Sequence, residues 1–170
     1  MKIVLAGYMG CGKSSIGQLL AQQLQIPFID LDLYIADKEQ LSVSEIFKRK
    51  SEIYFRKKET DCLQEILQLE GNIILAVGGG TPCYGNNMDL LKKFTTTIYL
   101  KASIDTLVNR LISQKSERPL IAHLSDEDLP EFIGKHLFER VPFYLQSEFV
   151  ISTDEKTVGE IAVEIKTILH

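Results

Sequence analysis

The sequence has few cysteines, no long apolar run and no excess of positive charge. Its three cysteines, Cys11, Cys62 and Cys83, lie far apart and form no C-x-x-C pair. A disulfide framework or a structural zinc site is therefore not expected, and a reducing cytoplasm is the expected location. No apolar run approaches the roughly 20 residues that a membrane-spanning helix needs. The formal net charge of −4 gives no general attraction for nucleic acid.

Length and composition indicate one globular domain. The chain has 170 residues, of which 45% are hydrophobic and 25% are charged, and these values exclude disordered and collagen-like classes. The short apolar run at residues 2–6 leads directly into a glycine-rich loop, which is typical of a first strand and not of a signal peptide. We predict a single domain over residues 1–170.

Two kinds of segment alternate along the chain. Short runs rich in β-branched residues are separated by longer stretches whose apolar residues recur at helical spacing. The pattern predicts an α/β fold with three layers, in which helices cover both faces of a five-stranded parallel sheet. The five predicted strands are Lys2–Ala6, Pro27–Asp30, Ile73–Val77, Thr96–Leu100 and Phe149–Ser152.

The alternation is interrupted twice. The connection from Leu31 to Asn72 is long enough for two or three helices. A polar stretch follows Ile112, and in a compact α/β domain such an insertion is often a mobile lid, here at about residues 113–124. An ordinary surface loop is the alternative. Ser125 and Asp128 have capping-box spacing and predict that the next helix starts there.

Residues 7–14 match the pattern G-x-x-x-x-G-K-[ST] of a phosphate-binding loop. The match follows a predicted strand and opens a predicted helix, which is the arrangement that this motif requires. Glycines let backbone N–H groups converge on phosphates, the lysine adds a point charge, and the serine hydroxyl suits Mg²⁺. We predict that the nucleotide is held by Gly10, Cys11, Gly12, Lys13, Ser14 and Ser15.

This loop indicates a nucleotide but not a reaction, because GTPases, ATPases and small-molecule kinases all carry it. An Asn-Lys-x-Asp element that reads guanine is absent from the sequence, which argues against a GTPase. The small size argues against a motor or a transporter ATPase.

A second group of residues has the chemistry of an acceptor site. Asp30 and Asp32 end the second predicted strand, where parallel sheets bind ligands, although an aspartate there could simply cap a helix. Three glycines, Gly78–Gly80, follow the third strand and allow a close approach to the backbone, although a tight turn is the simpler interpretation. Arg118 and Arg140 would each be a surface arginine alone, but together they could clamp an anionic substrate.

The combination resembles the shikimate kinase family. The elements that carry the resemblance cover the chain to about residue 150, and the acid pair, the Phe-Arg pair and the triple glycine are its specific part. They are Gly7–Ser14, Phe28-x-Asp30-x-Asp32, Phe55-Arg56-x-x-Glu59, Gly78–Gly80, Arg118-Pro119-Leu120 and Arg140-x-Pro142-x-Tyr144.

The resemblance implies a P-loop fold like that of nucleoside monophosphate kinases, with a substrate-binding helical region at about residues 31–60 and a mobile lid. It implies transfer of a phosphoryl group from ATP to the 3-hydroxyl of shikimate in a cytoplasmic, monomeric enzyme that needs no nucleic acid or membrane. Shikimate is expected to contact Asp32, Arg56, Gly78, Gly79, Gly80 and Arg140, with Phe47 and Phe55 as an apolar wall.

The same resemblance implies roles at the nucleotide. Ser14, with Asp30 through water, is expected to hold Mg²⁺. Arg110 matches a position against adenine, and Arg118 matches the lid arginine that reaches the transferred phosphate. Lys13, Asp32 and Arg118 are the expected catalytic residues. Two alternatives remain: a kinase of another small hydroxy acid such as gluconate, and a nucleotide-binding module without catalysis.

Overall fold

Five parallel strands form one sheet in the computed structural model, which describes residues 1–118 and 120–169. Pro119, which falls within the predicted lid, and His170 lie outside the described residues. The strand order is β2-β3-β1-β4-β5, so the first strand lies at the centre of the sheet. The strands are β1 (Lys2–Ala6), β2 (Phe28–Asp30), β3 (Ile73–Ala76), β4 (Thr96–Lys101) and β5 (Phe149–Ser152).

Helices fill the connections between these strands. The long connection after β2 holds three helices, as its length allowed. The helices are α1 (Lys13–Leu24), α2 (Leu31–Glu39), α3 (Val43–Arg49), α4 (Glu52–Gln68), α5 (Asn87–Phe94), α6 (Ile104–Ile112), α7 (Leu129–Tyr144) and α8 (Val158–Leu169). Short 3-10 turns cover Thr81–Cys83 and Lys115–Glu117. Among the described residues, every helix is too short or too polar to span a bilayer.

The sheet has a hydrophobic core on each face. Side chains of a strand point alternately to opposite faces, and in β1 Ile3 and Leu5 join one core while Val4 and Ala6 join the other. The first core includes residues of α1, α6, α7 and α8, and the second includes residues of α2, α3, α4 and α5. The predicted three-layer α/β fold with a parallel sheet is confirmed.

Local hydrogen bonds fix the start of the helical region that follows β2. The Asp30 side chain accepts hydrogen bonds from the N–H groups of Asp32 and Leu33, at 3.1 and 3.3 Å, and so caps α2. Ser42 and Glu45 form a reciprocal capping box at the start of α3. Such caps satisfy backbone donors that the first helical turn leaves free. Both acids that the sequence singled out therefore sit at a well-defined helix start.

The predicted helix start, with Ser125 as the N-cap, is wrong by three residues, because Asp128 is the N-cap of α7. The Ser125 hydroxyl accepts a hydrogen bond from the Asp128 N–H at 3.1 Å, so the local bonding expected of a cap is present. It closes an isolated turn, however, and α7 begins at Leu129 with Pro130 in its first turn. Proline is favoured at that position because its fixed φ suits a helix and the first N–H groups have no intrahelical partner.

Candidate active site

A cavity of about 460 Å³ opens where the strands end, as expected for a parallel sheet. Its walls come from the phosphate loop and the start of α1, the ends of β2 and β3, helix α6 with the segment after it, and the region around the start of α8. The side chains and backbone groups used below are Gly10, Gly12, Lys13, Ser14, Asp30, Asp32, Gly78, Gly79, Arg110, Gln114 and Arg118. The predicted nucleotide residues and part of the predicted acceptor site therefore share one space.

The last residue of the phosphate loop before α1 is a glycine, and its backbone conformation requires one. Gly12 has φ +102°, in the left-handed region, and α1 starts at the next residue. Nζ of Lys13 donates hydrogen bonds to the carbonyl oxygens of Gly7 and Tyr8, at 2.8 and 2.9 Å. The lysine thus lies back over its own loop, beside the N–H groups of the first turn of α1. Backbone donors, a helix N-terminus and an ammonium group together make an anion site.

Ser14 and Asp30 meet across the mouth of the loop. The Ser14 hydroxyl donates a hydrogen bond to Oδ2 of Asp30 at 2.9 Å, while Oδ1 of the same carboxylate caps α2. A hydroxyl and a carboxylate at this distance are oxygen donors of the kind that Mg²⁺ takes, often with water between. The pair fits a cation that is bound mainly by nucleotide phosphates.

Asp32 is the most perturbed carboxylate of the cavity. Its pKa is raised from 3.8 to about 6, first by burial and then by the negative charges of Glu59 and Asp30. Lys13 and Arg56 act in the opposite direction and lower the pKa. A carboxyl group poised near neutrality beside a phosphate loop is suited to accepting a proton.

The three glycines after β3 allow three functional side chains to approach the backbone. A Cβ on Gly78 would lie 3.0 Å from Oδ1 of Asp32, and one on Gly79 would lie 3.0 Å from Nη1 of Arg140. A Cβ on Gly80 would lie 2.5 Å from Nη2 of Arg56. Each contact is closer than an alanine permits without a shift. The sequence predicted close approach to a ligand; the structure places one predicted acceptor-site side chain against each glycine.

Glu59 has a structural role that the sequence did not assign. Its side chain is buried, accepts a hydrogen bond from Nη1 of Arg56 at 2.8 Å and accepts another from the Thr81 hydroxyl at 2.6 Å. A buried carboxylate needs such partners, and here they fix both Arg56 and the turn after the glycines. The signal was available in the sequence, because residues 56 and 59 share one helix face.

Helix α7 is fastened to the glycine segment close to Arg140. The Tyr144 hydroxyl donates a hydrogen bond of 2.6 Å to the carbonyl oxygen of Gly79. Arg140 lies one turn earlier on the same face, with its guanidinium beside Gly79. The arginine therefore reaches the glycine segment from α7, whereas Arg56 reaches it from α4.

Two further arginines lie on the nucleotide side. Arg110 donates to the carbonyl oxygens of Gly10 and Thr153, at 3.3 and 3.1 Å, so its guanidinium is held between the loop and the end of β5. Nη2 of Arg118 donates to Oε1 of Gln114 at 3.1 Å, while Nε is buried and has no partner among the described residues. Both side chains line the cavity.

Comparison with known proteins agrees with this geometry. A family model described as shikimate kinase matches residues 9–170. The shikimate kinase of Flavobacterium johnsoniae is 51% identical over 169 residues, covering 99% of this chain and 98% of that protein. The chain belongs to the shikimate kinase family.

Solved structures of the family have the same fold. The crystal structure of the Bacteroides thetaiotaomicron shikimate kinase superposes with a TM-score of 0.93 at 34% identity, covering 99% of this chain and 98% of that one. The Acinetobacter baumannii shikimate kinase, solved in complex with shikimate, gives a TM-score of 0.89 at 30% identity, with 99% and 92% covered. The predicted P-loop kinase fold is confirmed.

Within this family fold, the predicted acceptor residues divide into two groups. Asp32, Gly78 and Gly79 line the main cavity, whereas Arg56, Gly80 and Arg140 do not belong to that lining and cluster around the glycine segment beside it. The rings of Phe47 and Phe55, the two residues of the expected apolar wall, lie 4.7 Å apart between centroids and outside the lining of the main cavity. Phe55 is buried in the core on that face of the sheet.

Proposed function

We propose that this chain transfers the γ-phosphoryl group of ATP to the 3-hydroxyl of shikimate, giving shikimate 3-phosphate and ADP for chorismate and aromatic amino-acid biosynthesis. One observation carries the proposal: three consecutive glycines hold an acid and two arginines beside a phosphate loop. A carboxylate-bearing polyol needs cations for its acid group and an acceptor for its hydroxyl proton. A 30% identical relative whose structure contains shikimate supports the same assignment.

The nucleotide half of the site binds through backbone and cationic groups. The N–H groups of residues 10–15 and the Lys13 ammonium hold the phosphates, and Arg110 lies against the base. Arg118 neutralises negative charge on the transferred group. Mg²⁺, held by Ser14 and by Asp30 through water, supplies charge neutralisation at the β- and γ-phosphates when it is bound.

The acceptor half orients shikimate by its carboxylate. Arg56 and Arg140 approach from opposite helices and bind the acid group, with Gly78–Gly80 between them and Phe47 and Phe55 behind. Arginine suits this task because its planar donors match a carboxylate. Asp32 then faces the 3-hydroxyl.

The reaction is an in-line displacement. The 3-hydroxyl oxygen of shikimate forms a bond to the γ-phosphorus, the bond from that phosphorus to the β–γ bridging oxygen breaks, and ADP leaves. Asp32 orients the hydroxyl and takes its proton. Phosphoryl transfer has a loose transition state, so positioning and charge stabilisation by Lys13 and Arg118 supply most of the acceleration.

The segment after α6 is expected to close over the bound substrates. Residues 113–124 act as a lid that excludes water and limits ATP hydrolysis. Arg118, in this segment, moves with the lid. We expect the enzyme to act in the cytoplasm as a monomer.

A coupled assay of ADP release tests the function. The protein is given MgATP with shikimate, with gluconate, or with no acceptor. We expect ADP release that depends on shikimate and is at background with gluconate. Preference for gluconate would support the alternative kinase, and turnover that is absent or independent of an acceptor would overturn the assignment.

Gly80→Ala tests the acceptor half. The added Cβ meets the guanidinium of Arg56, the far end of a long side chain, so the arginine must shift away from Gly80 and strain its ion pair with Glu59. The backbone of Gly80, at φ −88°, is also suited to alanine. We expect the KM for shikimate to rise about tenfold or more, the loss of one charge-assisted contact, with the KM for ATP unchanged. Steady-state kinetics with each substrate varied measure both.

Gly159→Ala is the matched control for this change. Gly159 lies in α8, where an added Cβ has no contact closer than 4.0 Å. Its kinetics are expected to equal those of the wild type. An unchanged KM for shikimate in the Gly80→Ala protein would show that Arg56 does not bind shikimate.

A further inference from the structure

Tyr8 is a large polar side chain buried inside the phosphate loop. It is 1% exposed, and the proposed chemistry does not use it. Its carbonyl oxygen accepts a hydrogen bond from Nζ of Lys13, at 2.9 Å. Its side-chain hydroxyl is hydrogen-bonded to Nδ1 of His136 at 2.9 Å, across 128 residues of chain. A buried tyrosine hydroxyl needs a partner, and this one finds it on α7.

The side chain of Tyr8 lies against two successive turns of α7. The His136 ring meets the Tyr8 ring edge-on, with centroids 5.4 Å apart and planes at 87°. One turn later, the guanidinium carbon of Arg140 lies 5.8 Å from the centroid of the same Tyr8 ring. This distance is within the range of a cation–π contact. Residues 136, 140 and 144 follow at intervals of four and therefore share one helix face.

Arg140 is thus held from both sides along its helix. The turn before it is bonded to the phosphate loop through His136, and the turn after it is bonded to Gly79 through Tyr144. The ring of Phe132 also packs against His136, with centroids 5.4 Å apart. A free arginine side chain samples many rotamers. The ring of Tyr8 restricts those of Arg140, and the two hydrogen-bonded turns of α7 fix the backbone on either side of it.

We propose that Tyr8 and His136 are positioning residues, which aim Arg140 at the substrate carboxylate and join it to the loop that carries Lys13. This inference rests on the proposed function, in which Arg140 binds the carboxylate of shikimate. Tyr8 then contacts both half-sites: its carbonyl oxygen binds the lysine for phosphate, and its ring supports the arginine for the acceptor.

Tyr8→Phe and His136→Leu test the inference. Phenylalanine keeps the ring and the core volume but removes the hydroxyl, so the hydrogen bond to α7 is lost and Arg140 is less well aimed. We expect the KM for shikimate to rise about threefold to tenfold in either variant, typical of one lost hydrogen bond. The kcat and the KM for ATP should stay within about twofold of the wild type. His136→Gln, whose amide can still bond to Tyr8, should recover most of the affinity.

A second acceptor separates positioning from general damage to the fold. The methyl ester of shikimate lacks the charge that Arg140 binds. If positioning of Arg140 is the role, the Tyr8→Phe protein and the wild type should have equal KM values for the ester and differ only for the acid. Equal losses on acid and ester, or a parallel rise in the KM for ATP, would overturn the inference.

Phe138→Ala controls for substitution in α7. Phe138 lies on the same helix and is 82% exposed, so its variant should match the wild type with both acceptors. Activity of the wild type tests the proposed function separately. If the wild type does not phosphorylate shikimate, the proposed function is wrong. If the wild type is active and the Tyr8→Phe protein has the same KM for shikimate, only the positioning role is wrong.

Discussion

Replacing Asp32 with asparagine is expected to lower kcat by roughly 10²- to 10⁴-fold, the usual range for loss of a positioned general base. Asparagine keeps the shape of the side chain and can still contact the hydroxyl, but it cannot take the proton. The KM for ATP should change little, because Lys13 and the loop donors are intact. Steady-state kinetics in the ADP-release assay measure both quantities, and a variant that retains a tenth of wild-type turnover would exclude Asp32 as the base.

The same substitution is expected to stabilise the protein at neutral pH. The pKa of Asp32 rises from 3.8 to about 6 in the folded state, chiefly because of burial. Between these two values the folded state binds the proton more tightly than the unfolded chain does. The free energy of unfolding therefore falls as the pH rises from about 4 to 6, and the loss is complete above 6. Asparagine avoids this loss, so at pH 7 the gain is at most about 3 kcal/mol, at 1.36 kcal/mol per pKa unit.

Melting temperatures at pH 4 and pH 7 check this expectation. The Asp32→Asn protein should melt well above the wild type at pH 7, and the two curves should converge towards pH 4. Asp37→Asn, an exposed change on the same helix, is the control and should alter neither curve. Equal melting temperatures at pH 7 would mean that the ionised Asp32 is not destabilising.

Activity should follow the same ionisation. Since Asp32 must be ionised to accept the proton, kcat/KM for shikimate is expected to fall below about pH 6 and not only below the ordinary value of 3.8. Measuring kcat/KM from pH 5 to pH 8 shows whether activity falls in the acidic part of this range. A constant rate down to pH 5 would contradict the assignment of Asp32 to the proton.

The fold was largely predictable because its signals are local. Each predicted strand is a short apolar run with turn signals nearby, and the observed strands differ from the predicted ones by at most one residue at either end. The strand order was not predicted. Right-handed crossovers permit several orders, and the choice depends on how helices of the long connection pack over the sheet. The start of α7 was wrong because hydrogen bonding between Ser125 and Asp128 closes a turn as readily as it caps a helix.

The site, like the fold, was predictable where its signals are local and unpredictable where they depend on remote contacts. The phosphate loop was identified from consecutive residues, whose spacing alone defines its geometry. Tyr8 was missed because its role depends on a partner that is 128 residues away, His136. The pairing of Glu59 with Arg56 follows from their spacing on one helix, but the hydrogen bond from Thr81, 22 residues away, does not. The triple glycine was noticed, but its reason lies in three distant side chains that only the fold brings to it. Contacts between remote segments therefore carry the part of the site that sequence patterns did not reveal.

Lys13→Ala is expected to lower kcat/KM for ATP by roughly 10²- to 10³-fold, the usual loss when one preorganised donor to developing charge is removed. The Lys13 ammonium lies against the carbonyl oxygens of Gly7 and Tyr8, beside the N–H groups that face the phosphates. Both the binding of the nucleotide and the stabilisation of the transferred group should suffer. Calorimetric titration with ADP and steady-state kinetics measure the two effects.

Lys13→Met distinguishes the charge of the lysine from its packing. Methionine restores much of the apolar stem, so a loss equal to that of Lys13→Ala assigns the effect to the ammonium group. Shikimate affinity, measured without nucleotide, should stay near the wild-type value in both variants, because Arg56 and Arg140 are held by Glu59 and by the turns of α7 and not by Lys13. A large loss of shikimate affinity would instead show that the lysine holds the loop itself together. In that case Tyr8, whose carbonyl oxygen Lys13 binds, would be the link through which the loss reaches Arg140.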